Sequence, residues 1–412
     1  MSVRRHVIIG GGVAAASAAA TLRSHDFDGE IVIVSDDHTL PYERPPLSKE
    51  YLGHDGDGRP TLVKPENWYA EHQVTVRLNT RATRIDPGAK RIELSSSEKL
   101  EYTKLLLATG VRARSLPHVT SDRVLTLRSL SDATRIRQLL AKVDTVAILG
   151  GGFIGCEAAS TAISMGKRVT IVERSSTLME AALGATLGGV MTDVHRAAGV
   201  HVMTGCVVHN IEQTPTSLVV RTDRRVIEAD LVLVGAGSQP NIDLAEEAGL
   251  RTNGGIVTDE YSRTSAVDIY AAGDVASILH PFYGAHLRVE HHDTAMHHGA
   301  SAAKNMLDLN EPFSESHWFW SDQYTHNLQQ AGRSEPGDEV IVRGSLDDLD
   351  FSAFSLRGAR ITKVISLNRP RDVLATRRLL FSEHQASPDQ LKDESTPLNR
   401  LVPRERPNRV EA

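Results

Sequence analysis

The chain has 412 residues, with 46 lysines and arginines against 52 aspartates and glutamates, for a formal net charge of -6. A composition of 40% hydrophobic and 24% charged residues excludes a disordered, fibrous or many-span membrane chain, and the length predicts two or three domains. The mild acidic excess argues against nucleic-acid binding, and two cysteines, Cys156 and Cys206, exclude four-cysteine iron–sulfur and cysteine-only zinc sites while pointing to a reducing cytoplasm.

Two apolar runs imitate membrane-directed segments. Arg4-Arg5 followed by uncharged Val7–Leu22 resembles a secretory leader, and Val146 to Gly166 resembles a short span broken by Glu157. Each carries a glycine triplet early, and a glycine weakens a helix by about 1 kcal/mol relative to alanine. A strand–turn–helix accounts for both, so neither is read as a membrane element.

In chain order, the first unit predicts a strand at His6–Ile9, a turn at Gly10-Gly11-Gly12, a helix through Ala14–Leu22 and a strand at Ile31–Val34 ending at Ser35-Asp36. The segment from Leu40 to Lys49 is too proline-rich to be regular before Pro46, with a helix able to begin at Ser48. Leu105–Ala108 reads as a buried strand ending at Thr109-Gly110. The second unit repeats the pattern: strand Val146–Leu149, the turn Gly150 to Gly155, a helix to about Met165, strand Val169–Val172 ending at Glu173, and Leu231–Val234 leading to Gly235-Ala236-Gly237. From about Pro312 aromatic residues cluster, and Glu339–Val342 and Ile361–Leu367 read as antiparallel strands. The polar tail beyond Ser387 is expected to be loosely held.

Gly10-x-Gly12-x-x-Ala15 and Gly150-x-Gly152-x-x-Gly155 each let the backbone approach a pyrophosphate at a helix N-terminus. Asp36 and Glu173, at the ends of the following strands, are placed to accept from ribose hydroxyls. Glu173 would also repel a 2′-phosphate, which favours NAD over NADP despite neighbouring Arg174. Two such turns suggest FAD in the first and a nicotinamide nucleotide in the second, with a hydride passing between them. Asp268 to Ala276 fits the first, with Gly273 allowing close approach and Asp274 accepting from a ribityl hydroxyl at a helix start. His291, His292, His297 and His298 are dense, and a helix would bring His291 near His298 on one face. With no cysteine or His-Glu-x-x-His partner they are read as helix-surface or flavin-side groups, and no metal is expected.

The motif Tyr42-Glu43-Arg44-Pro45-Pro46-Leu47-Ser48-Lys49, the Ala108-Thr109-Gly110 strand end, the Asp274 segment and Phe319-Trp320-Ser321-Asp322-Gln323-Tyr324 resemble the NADH-dependent ferredoxin reductases that serve Rieske-type oxygenases and bacterial P450 systems. The likeness extends to Val342-Arg343-Gly344-Ser345 and Asn368-Arg369-Pro370. It implies an α/β fold with two Rossmann-like dinucleotide-binding domains of glutathione-reductase type and an α+β C-terminal domain. The expected boundaries are 1–110 and 244–311 for FAD, 111–243 for NAD and 312–412 for a C-terminal interface domain.

By that resemblance Ala14, Asp36, Lys49, Ala82, Arg128, Asp274 and His292 match FAD positions. Glu173 matches the NAD ribose position, and Gly150, Gly152 and Gly155 the phosphate turn. Ala15, Arg44, Ile154, Gly237, Gly273, Glu290, His291 and Trp320 complete the expected cofactor-binding set. Lys49 and Glu157 are implied as a pair beside the flavin ring, although on its own residues Lys49 reads as a solvated helix lysine. Trp320 is the candidate for shielding or relaying near the ring, or else an ordinary core tryptophan. The implied partner is a [2Fe–2S] ferredoxin of Rieske or adrenodoxin type, steered by a basic cluster of Arg369, Arg371, Arg377 and Arg378.

Two departures stand out. Glu290-His291-His292-Asp293 resembles flavoproteins of the apoptosis-inducing-factor type, which gives an alternative reading as an NADH sensor acting through association. Met179-Glu180 is followed by Ala181-Ala182 where relatives often carry an arginine near the nicotinamide nucleotide. A disulfide reductase of the same architecture needs a redox cysteine near the flavin, and the segment from Tyr42 to Lys49 has none.

Overall fold

In a computed structural model, which describes residues 4–53, 58–116, 119, 121–381 and 386–401, the chain divides into two units. One comprises residues up to Met179 and His195–Glu315, the other Glu180–Val194 and the chain from Ser316 onward.

The first unit contains two parallel five-stranded sheets of the same design. One runs, in spatial order, Ile269–Ala271, Lys104–Leu107, Arg5–Ile9, Glu30–Val34, Val74–Arg77; the other runs His201–Met203, Arg168–Val172, Thr145–Leu149, Leu231–Val234, Val124–Thr126. In each, the strand that leads into the glycine turn lies centrally, flanked on one side by the strand that carries the acid. The central strands are unbroken apolar runs, as strands covered on both faces require: Val7, Ile8, Ala147 and Ile148 are all fully buried. Both runs that imitate membrane segments are therefore strand–turn–helix, with helices at Val13–Ser24 and Phe153–Ser164. Among the described residues no helix is long and apolar enough to cross a membrane.

Three-stranded antiparallel sheets interrupt both folds, Ala82–Asp86 with Arg91–Leu94 and Lys99–Glu101 in the first, Val208–Gln213 with Leu218–Thr222 and Val226–Ala229 in the second. Helix His292–Met306 packs against helix Val13–Ser24, and the approach is close because residue 299 is glycine: a Cβ there would lie 2.2 Å from the carbonyl oxygen of Ala14.

The second unit is a five-stranded antiparallel sheet in the order Trp318–Gln323, His326–Gly332, Arg360–Leu367, Asp350–Arg357, Glu339–Ser345, with helix Pro370–Leu380 over one face. The tail is held more firmly than its polarity suggests. Helix Pro388–Lys392 starts with a capping box at Ser387, and Leu391, Leu398 and Leu401 enter the core. The buried Arg343 guanidinium donates to the carbonyls of Leu391, Asp393 and Thr396 at 3.1, 2.7 and 3.0 Å. One side chain thus satisfies three carbonyls of an irregular segment, and it corrects the expectation of a loose tail as far as Leu401.

Candidate functional site

The two glycine turns fold by one rule. The Gly10 N–H donates to Val34 O and the Gly150 N–H to Val172 O, both at 2.9 Å, tying each turn to the strand that ends in the acid. Both glycines have positive φ, and a Cβ would meet Ala108 O at 2.1 Å or Gly235 O at 2.3 Å. The next glycines in the fingerprint behave in the opposite way. A Cβ on Gly12 or Gly152 would meet nothing within 4 Å, so each faces open space.

Gly12 and Gly152 are also the N-caps of their helices, with no side-chain cap and no acid in the first turn. The first amides of each helix, at Val13, Ala14 and Ala15 and at Ile154 and Gly155, lie at the positive end of the helix dipole, where the helix itself supplies no acceptor. A glycine cradle open on the ligand side and uncapped donors behind it fit a dinucleotide pyrophosphate at both turns. Ile154 is 47% exposed at this helix start, unusual for an isoleucine and consistent with a covering ligand.

The acids are placed differently. Glu173 accepts from the Gly151 and Ser175 amides, each at 2.6 Å. Asp36 is exposed and pairs with Arg81 at 2.9 Å.

Around the first turn several sequence-predicted residues converge. Asp274 lies in a single 3₁₀ turn, Gly273–Val275, which leads into strand Ala276–His280 and not into a helix as expected. Its carboxylate accepts from Arg128 Nη2 at 2.7 Å, and the same guanidinium donates through Nε to Val111 O at 3.1 Å. Arg44 Nη1 donates to Arg128 O at 2.6 Å, and burial together with the neighbouring Arg128 charge lowers the Arg44 pKa. The two guanidiniums stand together beside the Asp274 carboxylate and are donors suited to a phosphate. Ala14 packs against Gly273, where a Cβ would approach it to 3.1 Å.

The motif at Pro45–Ser48 is a 3₁₀ turn, not the start of a helix, because its two prolines fit the first positions of a turn and supply no N–H. It delivers Ser48 and Lys49 to the second glycine helix. Lys49 Nζ lies 3.0 Å from Glu157 Oε2, Ser48 Oγ donates to the same oxygen at 2.5 Å, and Thr161 Oγ1 donates to Ser48 O at 2.8 Å. The Lys49 and Glu157 side chains are 12% and 4% exposed, so Lys49 is a mostly buried, paired cation and the solvated reading is wrong. The pair joins the two nucleotide folds and fixes the Lys49 ammonium between them.

The chain matches the pyridine nucleotide-disulphide oxidoreductase family over residues 4–299 and the reductase C-terminal family over residues 318–402. The chain belongs to the pyridine nucleotide-disulphide oxidoreductase family. It is 37% identical over 402 residues to rhodocoxin reductase of Rhodococcus erythropolis, covering 97% of this chain and 94% of the relative. It is 36% identical to the ferredoxin--NAD(+) reductase component of the anthranilate 1,2-dioxygenase system of Burkholderia cepacia, covering 98% and 100%. A chain in the crystal structure of the covalent putidaredoxin reductase–putidaredoxin complex superposes with a TM-score of 0.92 at 34% identity, covering 97% of this chain and 98% of that one.

Disulphide chemistry, which the family name carries, has no support in this member. Cys156 and Cys206 are the chain's only cysteines, both free and buried, and burial pushes the Cys156 thiol far above its ordinary range. The remaining candidates fall into three groups. Gly237, with positive φ, precedes Ser238, whose hydroxyl donates to Glu290, and Arg288 Nη1 donates to the same carboxylate at 2.6 Å. His291 caps the helix whose first residue, His292, pairs with Glu43; His291 is half-buried and held down to about 4 by desolvation. Ala82 is half-buried on the edge of its small sheet, and Trp320, half-buried in the second unit, stacks on Trp318 with ring centroids 5.2 Å apart.

His298 is engaged elsewhere through both ring nitrogens, and among the described residues no group of three or more His, Cys, Asp or Glu is arranged to hold a metal. Of the basic cluster, Arg369 is committed to Asp350 and Glu394 at 2.8 and 2.6 Å, and Arg377 lies over the Trp318 ring. Only Arg371 and Arg378 are exposed. Sequence reasoning missed the contacts of Ser48 with Glu157 and Thr161 of the second helix, since nothing in either segment marks the other as its neighbour.

Proposed function

We propose that this protein is an FAD-dependent NADH:ferredoxin reductase of the cytoplasm, passing electrons to a [2Fe–2S] ferredoxin that serves a Rieske-type oxygenase or a cytochrome P450. The observation that carries the reading is the mostly buried Lys49–Glu157 pair, which ties the Pro45–Ser48 turn to the second glycine helix in a unit with two open glycine turns and no accessible redox thiol. Bound FAD supplies acceptance of a hydride from NADH and release of the electrons one at a time.

The chain's own residues supply geometry and charge. Segments 1–110 and 244–311 hold FAD, 111–243 binds NADH and 312–412 meets the partner. The amides after Gly12, with Ala14 and Ala15, hold the FAD pyrophosphate, and Arg44, Arg128, Gly273 and Asp274 orient its ribityl–phosphate stretch. Asp36 leaves Arg81 to accept from the adenosine ribose. Lys49 gives a desolvated positive charge that favours electron acceptance beside it, and Glu157 fixes that charge in place. Glu173, already held by two amides, receives the NADH ribose and rejects a 2′-phosphate.

An NADH sensor acting through association, suggested by Glu290-His291-His292-Asp293, is not favoured, because relatives over nearly the whole chain are ferredoxin--NAD(+) reductase components of dioxygenase systems. The deciding experiment is an anaerobic titration followed by turnover with a panel of ferredoxins. NADH should bleach the flavin, NADPH should do so far more slowly, and at least one ferredoxin should be reduced catalytically. A long-lived NADH complex that dimerises and reduces no ferredoxin would sink the proposal.

A further inference from the structure

The turn that carries Asp274 is braced from behind by a histidine the proposed mechanism does not use. Gly273 adopts a φ of +76° against Ala14. Its N–H donates to Nδ1 of His298, at 3.2 Å. The other ring nitrogen, Nε2, lies 3.1 Å from Ser262 Oγ. His298 is 2% exposed and Ser262 0%. An N–H can be received at Nδ1 only if that nitrogen carries no proton, so the ring proton sits on Nε2 and is donated to Ser262. A doubly protonated ring would set two N–H groups against each other. The setting keeps the ring neutral: Phe313 lies with its ring centroid 4.9 Å away, and burial with nearby His280 lowers the His298 pKa to about 3. The next residue, Gly299, packs on the Ala14 backbone, so one stretch of helix touches both the first phosphate helix and the Asp274 turn.

We infer that His298 is a positioning residue for the flavin nucleotide, acting through the Gly273 amide to fix the turn that aims Asp274. The inference rests on the FAD reading above. Without an acceptor at Nδ1 the Gly273 N–H is buried and unsatisfied, and the turn relaxes to find a partner, taking the Asp274 carboxylate with it. The chemistry required at position 298 is one acceptor at the Nδ1 place, not an aromatic ring or a charge.

Two measurements test this. The first is the FAD dissociation constant of flavin-stripped protein, read by fluorescence, for wild type, His298→Ala, His298→Gln and His298→Asn. Asparagine can put its amide oxygen near the Nδ1 position, whereas glutamine reaches toward Nε2. The alanine and glutamine variants should bind FAD about tenfold more weakly, the loss expected when a buried donor is orphaned, while asparagine restores most of the affinity. The second is the imidazole ¹⁵N spectrum of the wild-type holoprotein, which should show His298 as the Nε2–H tautomer from pH 8 to pH 5. An Nδ1–H tautomer, or affinity that follows side-chain size and melting temperature and ignores the acceptor, overturns the role of His298. A wild-type chain that takes up no FAD at all would instead defeat the flavoprotein reading.

Discussion

At the first turn the Gly10 amide reaches Val34 O at 2.9 Å and at the second the Gly150 amide reaches Val172 O at the same distance, yet beyond that point the two nucleotide folds part company. The third position of the fingerprint is Ala15, fully buried with its Cβ accommodated, in one; in the other it is Gly155, where a Cβ would lie 2.2 Å from Gly150 O. The second helix therefore starts closer to its turn. The acids differ more. Asp36 is spent on an exposed pair with Arg81, an interaction worth about 0–1 kcal/mol, whereas Glu173 is fixed by two amides before any nucleotide arrives. On the proposed reading this matches the traffic through each site. A resident prosthetic group orders its own site once, but a co-substrate that enters and leaves every turnover gains from a site already organised.

The comparison can be broken most severely at the glycines. Gly10→Val should yield no folded protein, because it forces a branched side chain into positive φ and against Ala108 O. Gly12→Val, with φ -104° and open space beyond it, should fold with an unchanged melting temperature but purify colourless. Gly152→Val should keep its flavin and lose NADH. If Gly12→Val and Gly152→Val share one phenotype, the two sites are not assigned as argued.

Next in size is the link between the folds. Glu157→Ala leaves the mostly buried Lys49 ammonium with only the Pro45 carbonyl among the described residues and should cost about 1–3 kcal/mol of stability, seen in denaturant melts. A double variant, Lys49→Met with Glu157→Leu, should recover much of that stability while slowing flavin reduction by NADH. The acids come after. Glu173→Ala removes an acceptor held by two amides and should raise the NADH Michaelis constant by roughly 10–100-fold, the span of a hydrogen bond to a charged group. Asp36→Ala should weaken FAD binding by only about a few fold, since its present pairing is a surface one.

Acid should weaken the first fold through its desolvated histidines. His6 and His291 are held near 4 and His298 near 3, chiefly by desolvation, while an unfolded chain protonates them near 6.5. Between pH 6.5 and about 4 the unfolded state takes up protons the fold refuses, so stability falls as the pH falls. The stability of wild type relative to His298→Asn should shrink over that interval in pH-dependent melts; a constant difference would contradict a neutral buried His298.

Much of this was legible in the sequence because it is local. A strand, a glycine turn, a helix and a terminal acid follow one another within about thirty residues, and hydrophobic runs mark the central strands directly. What stayed hidden depends on contacts across the chain. Lys49 reads as solvated because its partner stands on another helix, 108 positions on at Glu157. The tail reads as loose because the side chain that holds it, Arg343, lies on a distant strand. The Asp274 segment reads as a helix start because a 3₁₀ turn and an α-helix N-terminus share the same first residues, and only the strand that follows distinguishes them. The basic cluster was overcounted for the same reason, since charges were visible in the sequence but their neutralising partners were not.

That correction sharpens the smallest prediction. On helix Pro370–Leu380, Arg371, Leu374 and Arg378 recur at spacings of three and four residues, which sets them on one face, and Leu374 is 63% exposed between the two arginines. An apolar residue flanked by two unneutralised cations suits the rim of an acidic iron–sulfur protein, where complementary charge raises the encounter rate more than the final affinity. Arg371→Glu with Arg378→Glu should raise the Michaelis constant for the ferredoxin by about three- to tenfold at low ionic strength, with flavin reduction by NADH untouched, and the effect should fade in high salt as screening shortens the reach of the charges. Arg369→Glu should behave differently: it breaks the pairs with Asp350 and Glu394 and puts three carboxylates together, so its cost should appear in the melting temperature and its kinetic effect should not follow salt. Equal kinetic effects from the two replacements would mean that local folding, and not the exposed face of this helix, governs the encounter.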